Sequence, residues 1–364
     1  MTLNKDDIRA SVASGVIAEA QAATVLAQAE ARKGYRDKMD GLDEPFELFR
    51  GFNEVFIVIG LLILYGGWMG VVGVSGLVGG SPTGAFTVVS MALSLGLIAF
   101  LAQYFTLTRR MVAPSITLVI MFALCAWTLG GAVSNLINPK ATDAFVGLYT
   151  AEDVTTQAIV TLIALGAYFW KFRVPFTLLI MAVAVYVAAF AATISGGADL
   201  SSPTEVFRLS ANGPFAVITL VLGLIGLAIA LRFDMSDPHR VSRRSQNAFW
   251  LHVIAAPAIV NTIALTLFSA QSIIAMALLF VFVLAMAAFA IIIDRRSFLI
   301  SAFGYMIALS VTVLEDSGFM TMLLLGILLV YMGAKWEAIR GSLMRTLPAF
   351  PGKTKLPPYN KDAV

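Results

Sequence analysis

Apolar residues along this chain come in long unbroken runs rather than in the one-face stripes of a water-soluble helix or the alternation of a strand. Ten runs can be marked out, at 55–78, 84–107, 111–136, 154–171, 174–194, 213–231, 247–269, 272–293, 297–314 and 318–334. Each is roughly 20 residues long, the length a helix needs to cross a ~30 Å hydrocarbon layer. Lipid offers backbone amides no partner, so a spanning segment must pair its own backbone as a helix or in a closed barrel. The runs are about twice the length of a membrane strand and do not alternate. The pattern therefore predicts an all-α polytopic membrane helix bundle of about ten transmembrane helices.

The breaks between runs carry the next layer of information. Some are as short as Gly80 to Thr83 or Ala270 to Gln271, which requires neighbours to form tight antiparallel hairpins. Two are longer, 137–153 and 195–212, and each has room for a short surface helix; Phe145, Leu148 and Tyr149 fall on one side of the first. A faint repeat marks alternate runs: Arg110 precedes Pro114-Ser-Ile-Thr-Leu-Val-Ile-Met121, and Arg173 precedes Pro175-Phe-Thr-Leu-Leu-Ile-Met181. It suggests a duplicated two-helix unit of about sixty residues.

Ahead of the first run the chain changes character. Residues 1–40 read as a small cytoplasmic helical hairpin and linker. Asp6 or Asp7 can cap its first helix, Ser14 and Gly15 break it, and a second helix rich in Ala and Gln follows. It is too poor in apolar residues to fold firmly alone, so it is expected to dock on a protein partner, on a copy of itself or on the membrane domain. Phe46, Phe49, Phe52 and Phe56 recur at steps of three and four, which marks 41–54 as an amphipathic helix in the headgroup layer. The membrane domain of ten helices is then 55–340, with a cytoplasmic tail over 341–364.

Composition agrees with lipid as the main solvent: 59% of the 364 residues are hydrophobic, 13% are charged, and mean hydropathy is +0.86. Charge sets the orientation, because loops rich in Lys and Arg stay in the cytoplasm. With ten spans and the N-terminus inside, every basic residue of the 25 except Lys140 and Arg208 falls on the cytoplasmic side. Both termini are therefore expected in the cytoplasm. The net charge of +3 is spread over short loops and forms no nucleic-acid surface. No cleavable leader is expected ahead of Val55, and the single Cys125 lies inside an apolar run where it reads as a small core residue.

The string Ser14-Gly-Val-Ile-Ala-Glu-Ala-Gln21, a polar linker, many spans and the phrase Trp250-Leu-His-Val-Ile-Ala-Ala-Pro257 together resemble a family of bacterial membrane proteins classed as a domain of unknown function. The resemblance implies a bacterial inner-membrane location and brings no activity, cofactor or site residue with it.

Candidate chemistry is sparse. There is no glycine-rich phosphate loop with a lysine, no cysteine pair, and no histidine pair at metal spacing, since His239 and His252 stand in different environments. No catalytic residue, metal or cofactor is assigned, and an enzyme is not expected. The informative side chains are polar ones in the runs, where charged groups cost roughly 2.5–3.5 kcal/mol. His252 lies in the seventh run, and Pro257 frees the carbonyl of Val253 beside it. The pair could bind a proton, a water or a polar solute group, or His252 could simply bond a neighbouring helix. Asn261 points to the opposite face of an ideal helix.

In the ninth run Ser301, Tyr305, Thr312 and Asp316 share a face, with Glu315 beside them. They could line a polar path with an acidic mouth, or only satisfy helix contacts and form a turn. Gly66, Gly70 and Gly73 form a small-residue face on the first run, suited to helix packing within the monomer, a dimer or a gate. Trp170, Trp250, Tyr331 and Trp336 sit near run ends as headgroup anchors. A transporter or permease for a small or amphipathic solute is the leading expectation. An accessory or assembly membrane protein that binds another complex is the alternative, favoured by the scarcity of intramembrane polar groups.

Overall fold

The computed structural model of the chain describes residues 11, 14–17, 52–78, 84–137, 150–198, 207–209, 214–238, 243–270, 272–296, 298, 318–357 and 359. The chain divides into two units, Met1–Pro45 with Pro358–Val364, and Phe46–Pro357. In the first, Gly15 adopts a left-handed φ of 75° and the Val16 amide donates to the Ser11 carbonyl at 2.9 Å, so the expected break at Ser14 and Gly15 is a turn. The rest of the expected hairpin, with Phe46 and Phe49, lies outside the described residues.

The second unit is helical throughout its described residues, apart from turns. Its helices are α1 (Phe52–Val78), α2 (Gly84–Ala102, continued by a π-helical turn Gln103–Thr108), α3 (Val112–Ile137), α4 (Ala151–Phe172), α5 (Phe176–Ser195), α6 (Pro214–Met235), α7 (Arg243–Ser269), α8 (Ile273–Ile293) and α9 (Gly318–Thr346). Among the described residues seven of these, α1, α2, α3, α5, α6, α7 and α8, are long and apolar enough to cross a membrane. α4 opens on a polar turn with Glu152 and Asp153, where Thr150 and Asp153 form a reciprocal capping box. Asp153 also accepts a bond from Ser134 on α3 at 2.7 Å. The ninth expected span, 297–314, falls almost entirely outside the described residues.

Consecutive helices pack in pairs, α2 on α3, α3 on α4, α4 on α5 and α6 on α7, as the short connections require. One end of the bundle gathers the starts of α1, α3, α5 and α7 and the ends of α2, α4, α6 and α8. There the Glu54 carboxylate on α1 accepts the Ala113 amide of α3 at 3.1 Å, placing a buried acid at a helix N-terminus where free N–H groups need a partner. Phe176 on α5 meets Trp250 on α7 edge to face at 4.8 Å. Arg110, Arg173 and Asp294 each turn the chain at this end with a left-handed φ of 53°, 53° and 57°. The two arginines that head the sequence repeat thus share one backbone conformation at equivalent turns.

Two cores result. The first is built by α1 to α4 and the start of α5, around Leu118, Val119, Cys125, Leu165 and Phe172. The second is built by α7, α8, Phe298 and α9, around Ala256, Val260, Ala290, Phe298 and Trp336.

Gly130 and Gly131 on α3 mark a close approach to α4. A Cβ at Gly130 would lie 2.6 Å from Gln157 Cα on α4, and one at Gly131 would lie 2.6 Å from the side-chain Nε2 of Gln157. By contrast Gly66, Gly70 and Gly73 on α1 are exposed, and nothing among the described residues lies within 4 Å of a Cβ placed there. α9 bends at Lys335, whose φ of −116° and ψ of 16° leave the helical region, and the helix then continues to Thr346. Beyond the bend Trp336, Arg340 and Met344 form one buried face at steps of four. Trp336 is therefore a core residue and not a headgroup anchor, whereas Trp170 is 77% exposed.

Candidate functional site

α6 runs four residues past the expected edge at 231, and that extension changes what it contributes. The buried face of α6 carries Thr219, Gly223 and Ala230, and Asp234 continues it one turn further, 3% exposed. Across from it on α7 lies His252, fully buried, with Nε2 2.8 Å from Asp234 Oδ2. A carboxylate can only accept, so Nε2 carries the proton. The turn after α8 supplies Arg295, 1% exposed. Its Nε donates to Asp234 Oδ2 at 3.1 Å and one Nη to Oδ1, which gives a two-point clamp. The same Nη donates to the Ser245 carbonyl at the start of α7 at 3.0 Å. Phe298 closes the imidazole face, with ring centroids 5.8 Å apart.

Asp234 thus ties together three segments, α6, α7 and the turn after α8. Burying such ions is costly, and each becomes tolerable only through the others.

A second polar layer lies alongside. Trp336 Nε1 donates to Asp294 Oδ1 at 2.6 Å, and Arg340 stands 3.9 Å from the same oxygen. Arg340 also donates to the Ile291 carbonyl at 3.2 Å and to the Pro357 carbonyl at 2.6 Å. It adds a second donor to a carbonyl at the end of α8 that also accepts the Asp294 amide at 3.3 Å, and it holds the segment after α9. Arg296 stacks over the Trp336 ring at 5.4 Å.

On the other side of Pro257 the same helix borders a groove of about 320 Å³ between α5, α6 and α7. Its walls are mainly apolar, from Val183, Val187 and Phe190 on α5, Phe207 in the following connection, and Ile254 and Ala258 on α7. Pro257, which interrupts α7, forms part of the wall. Polar groups are few: Tyr186, whose hydroxyl donates to the Thr219 carbonyl at 3.4 Å, and Thr219, Asn261 and Thr262. The groove lies toward the end of α5 and the start of α6, whereas the charged cluster lies at the end of α6.

The residues singled out in the sequence therefore separate. Pro257 and Asn261 line the groove, while His252 sits in the charged cluster and is not part of the wall. Val253 is half-buried between them. Tyr305, Thr312, Glu315 and Asp316 lie outside the described residues. Asp234 and Arg295, assigned to loops by the run edges, are the residues that sequence reasoning missed. Asp234 had a readable signal, since it stands four residues after Ala230 on a face of small residues. Arg295 had none, because its partner is 61 residues away.

Among the described residues no group of three His, Cys, Asp or Glu side chains comes together to hold a metal. Compared with family models, curated proteins and solved structures, the chain matches none, so the resemblance noted above rests on its own motifs alone. What the fold defines is a class: a multi-pass helical membrane protein with seven apolar helices of membrane length.

Proposed function

We propose that this is a non-enzymatic permease of the bacterial inner membrane, with both termini in the cytoplasm, that carries a small amphipathic solute by way of the groove between α5, α6 and α7. The observation that carries the reading is the division of α7 at Pro257. On one side the helix is clamped by Asp234, His252 and Arg295, and on the other it borders a groove of a volume that fits a small solute. A missing backbone hydrogen bond between the two halves gives the helix a place to bend. The charged layer is the closed end of the pathway, on the cytoplasmic side by the loop charges, and the groove is its open end. Alternating access would then break and remake the Asp234–Arg295 clamp.

A cysteine at position 261, in a Cys125→Ser background, tests this in intact cells. A membrane-impermeant maleimide should label Asn261→Cys from the outside. Adding Arg295→Ala should let the reagent reach it from the cytoplasmic side of inverted vesicles as well. An Asn261→Cys protein labelled from neither side would sink the permease reading. It would favour an accessory or assembly protein, the alternative supported by the close packing around His252.

A further inference from the structure

The groove's polar groups point to the chemistry of its occupant, and this step rests on the permease reading of that groove. Thr219 is 4% exposed and lines the cavity, yet its hydroxyl has no hydrogen-bond partner among the described residues. That sets it apart from the other helical hydroxyls nearby. Thr262 and Thr266 on α7 donate to the carbonyls four residues back at 2.7 and 2.6 Å, the usual way to satisfy such a group in lipid. The equivalent acceptor for Thr219 is Phe215, and the bond is not made. A buried hydroxyl left unpaired costs ~1–3 kcal/mol.

Asn261 repeats the theme from the facing helix. It stands eight residues inside the end of α7, exposed at the groove, and its amide too has no hydrogen-bond partner among the described residues. Among the described residues the wall around these two groups carries no charged side chain, and a charged ligand head would lie against them uncompensated.

We infer that the groove binds a neutral solute with one hydroxyl or carbonyl head and an aromatic or aliphatic body, the head taken by Thr219 and Asn261 and the body by Val183, Val187, Phe190 and Ile254. The hydroxyl of Thr219 can donate or accept and the amide of Asn261 can do both at once, so an alcohol, phenol or ketone satisfies the pair. An acyl chain of the bilayer fills the apolar part and leaves both groups unpaired.

Three probes of one shape separate the cases: 1-naphthol, naphthalene and naphthalene-1-sulfonate, with the full chain in lipid nanodiscs and empty nanodiscs as reference. Saturable binding by equilibrium dialysis is expected for 1-naphthol, about tenfold tighter than for naphthalene, the worth of one good hydrogen bond. The sulfonate should bind weakest. Thr219→Val, nearly the same shape, should erase most of that tenfold preference while leaving naphthalene binding unchanged, and Thr219→Ser should keep it. Val187→Trp, which fills the groove from α5, should abolish binding of both neutral probes.

Equal binding of naphthol and naphthalene to the unmodified protein, or a preference that survives Thr219→Val, would overturn the inference while leaving the groove as a binding site. Tightest binding of the sulfonate would overturn it in favour of an anionic ligand. No saturable binding of any probe would overturn the groove itself as a solute site, and with it the permease reading.

Discussion

The two cores of this bundle reach the same end by different means. In the first, α1 to α5 meet through Leu118, Val119, Leu165, Phe122 and Tyr168, with α3 and α4 drawn together over Gly130 and Gly131. In the second, α6 to α9 meet through small and aromatic side chains together with two buried ionic groups, Asp234 with His252 and Arg295, and Asp294 with Trp336 and Arg340. Apolar packing is poorly directional in lipid, where helix contacts gain nothing from leaving water. The first half obtains its specificity from a close backbone approach. The second obtains it from ions that accept only one arrangement.

The contrast breaks most visibly at Asp234. Asp234→Ala leaves Arg295 buried without its carboxylate and should cost ~3–5 kcal/mol, read as a large drop in the melting temperature of the detergent-solubilised protein. Replacing Asp234 and Arg295 together by Leu should recover much of that loss, since no charge is then stranded. A double variant as unstable as the single one would show that the clamp is not what Asp234 contributes.

In the first half Gly130→Ala should cost ~1–3 kcal/mol, because the new methyl meets the backbone of Gln157 and not a flexible side chain. Gly70→Ala on α1, with open space around it, should fall within ~0.5 kcal/mol of the parent in the same melt. Equal effects at the two positions would mean that α1 has a packing partner of its own.

The smallest change tested in the second half is Trp336→Phe. It keeps the ring under Arg296 but removes the donor to Asp294, and ~1 kcal/mol should be lost. A neutral result would reduce that bond to an accessory of the Arg340 contacts.

The sequence made the first half legible and much of the second opaque, for a physical reason. Hydrophobic run length alone places helices, so the described helices overlie the expected segments 55–78 through 272–293 and 318–334 to within a few residues, apart from the added turns of α9. Run edges fail where a helix keeps going through charge. Arg232 and Asp234 close the sixth run by composition, yet α6 continues to Met235 because Asp234 finds partners on other segments. Trp336 and Arg340 escape for the same reason, since α9 bends at Lys335 and then buries a face beyond the expected run edge at 334.

The glycines show a related limit. Gly66, Gly70 and Gly73 form the more regular face, but Gly130, Gly131 and Gly223 are the ones a neighbour approaches closely, and spacing within one helix does not reveal its partner. Of the groove, Pro257 and Asn261 were visible as unusual residues in an apolar run. Thr219 was not, because threonine in a membrane helix is ordinary until its missing hydrogen bond is seen.

The long reach from Asp234 to Arg295 has a consequence for how the protein is made. Chain leaves the ribosome in order, so α6 enters the membrane with its acid before the arginine 61 residues downstream exists. His252, 18 residues on, is the first partner to arrive, and it offers one N–H to a carboxylate that the finished fold also clamps with a guanidinium. Until α8 is inserted and its end turns back, Asp234 carries a penalty on the order of 2.5–3.5 kcal/mol if it is held at hydrocarbon depth. The first five helices can settle as each hairpin emerges. α6 remains provisional through two further crossings and α7 through one, and during that interval the insertion machinery or lipid headgroups must shelter the carboxylate.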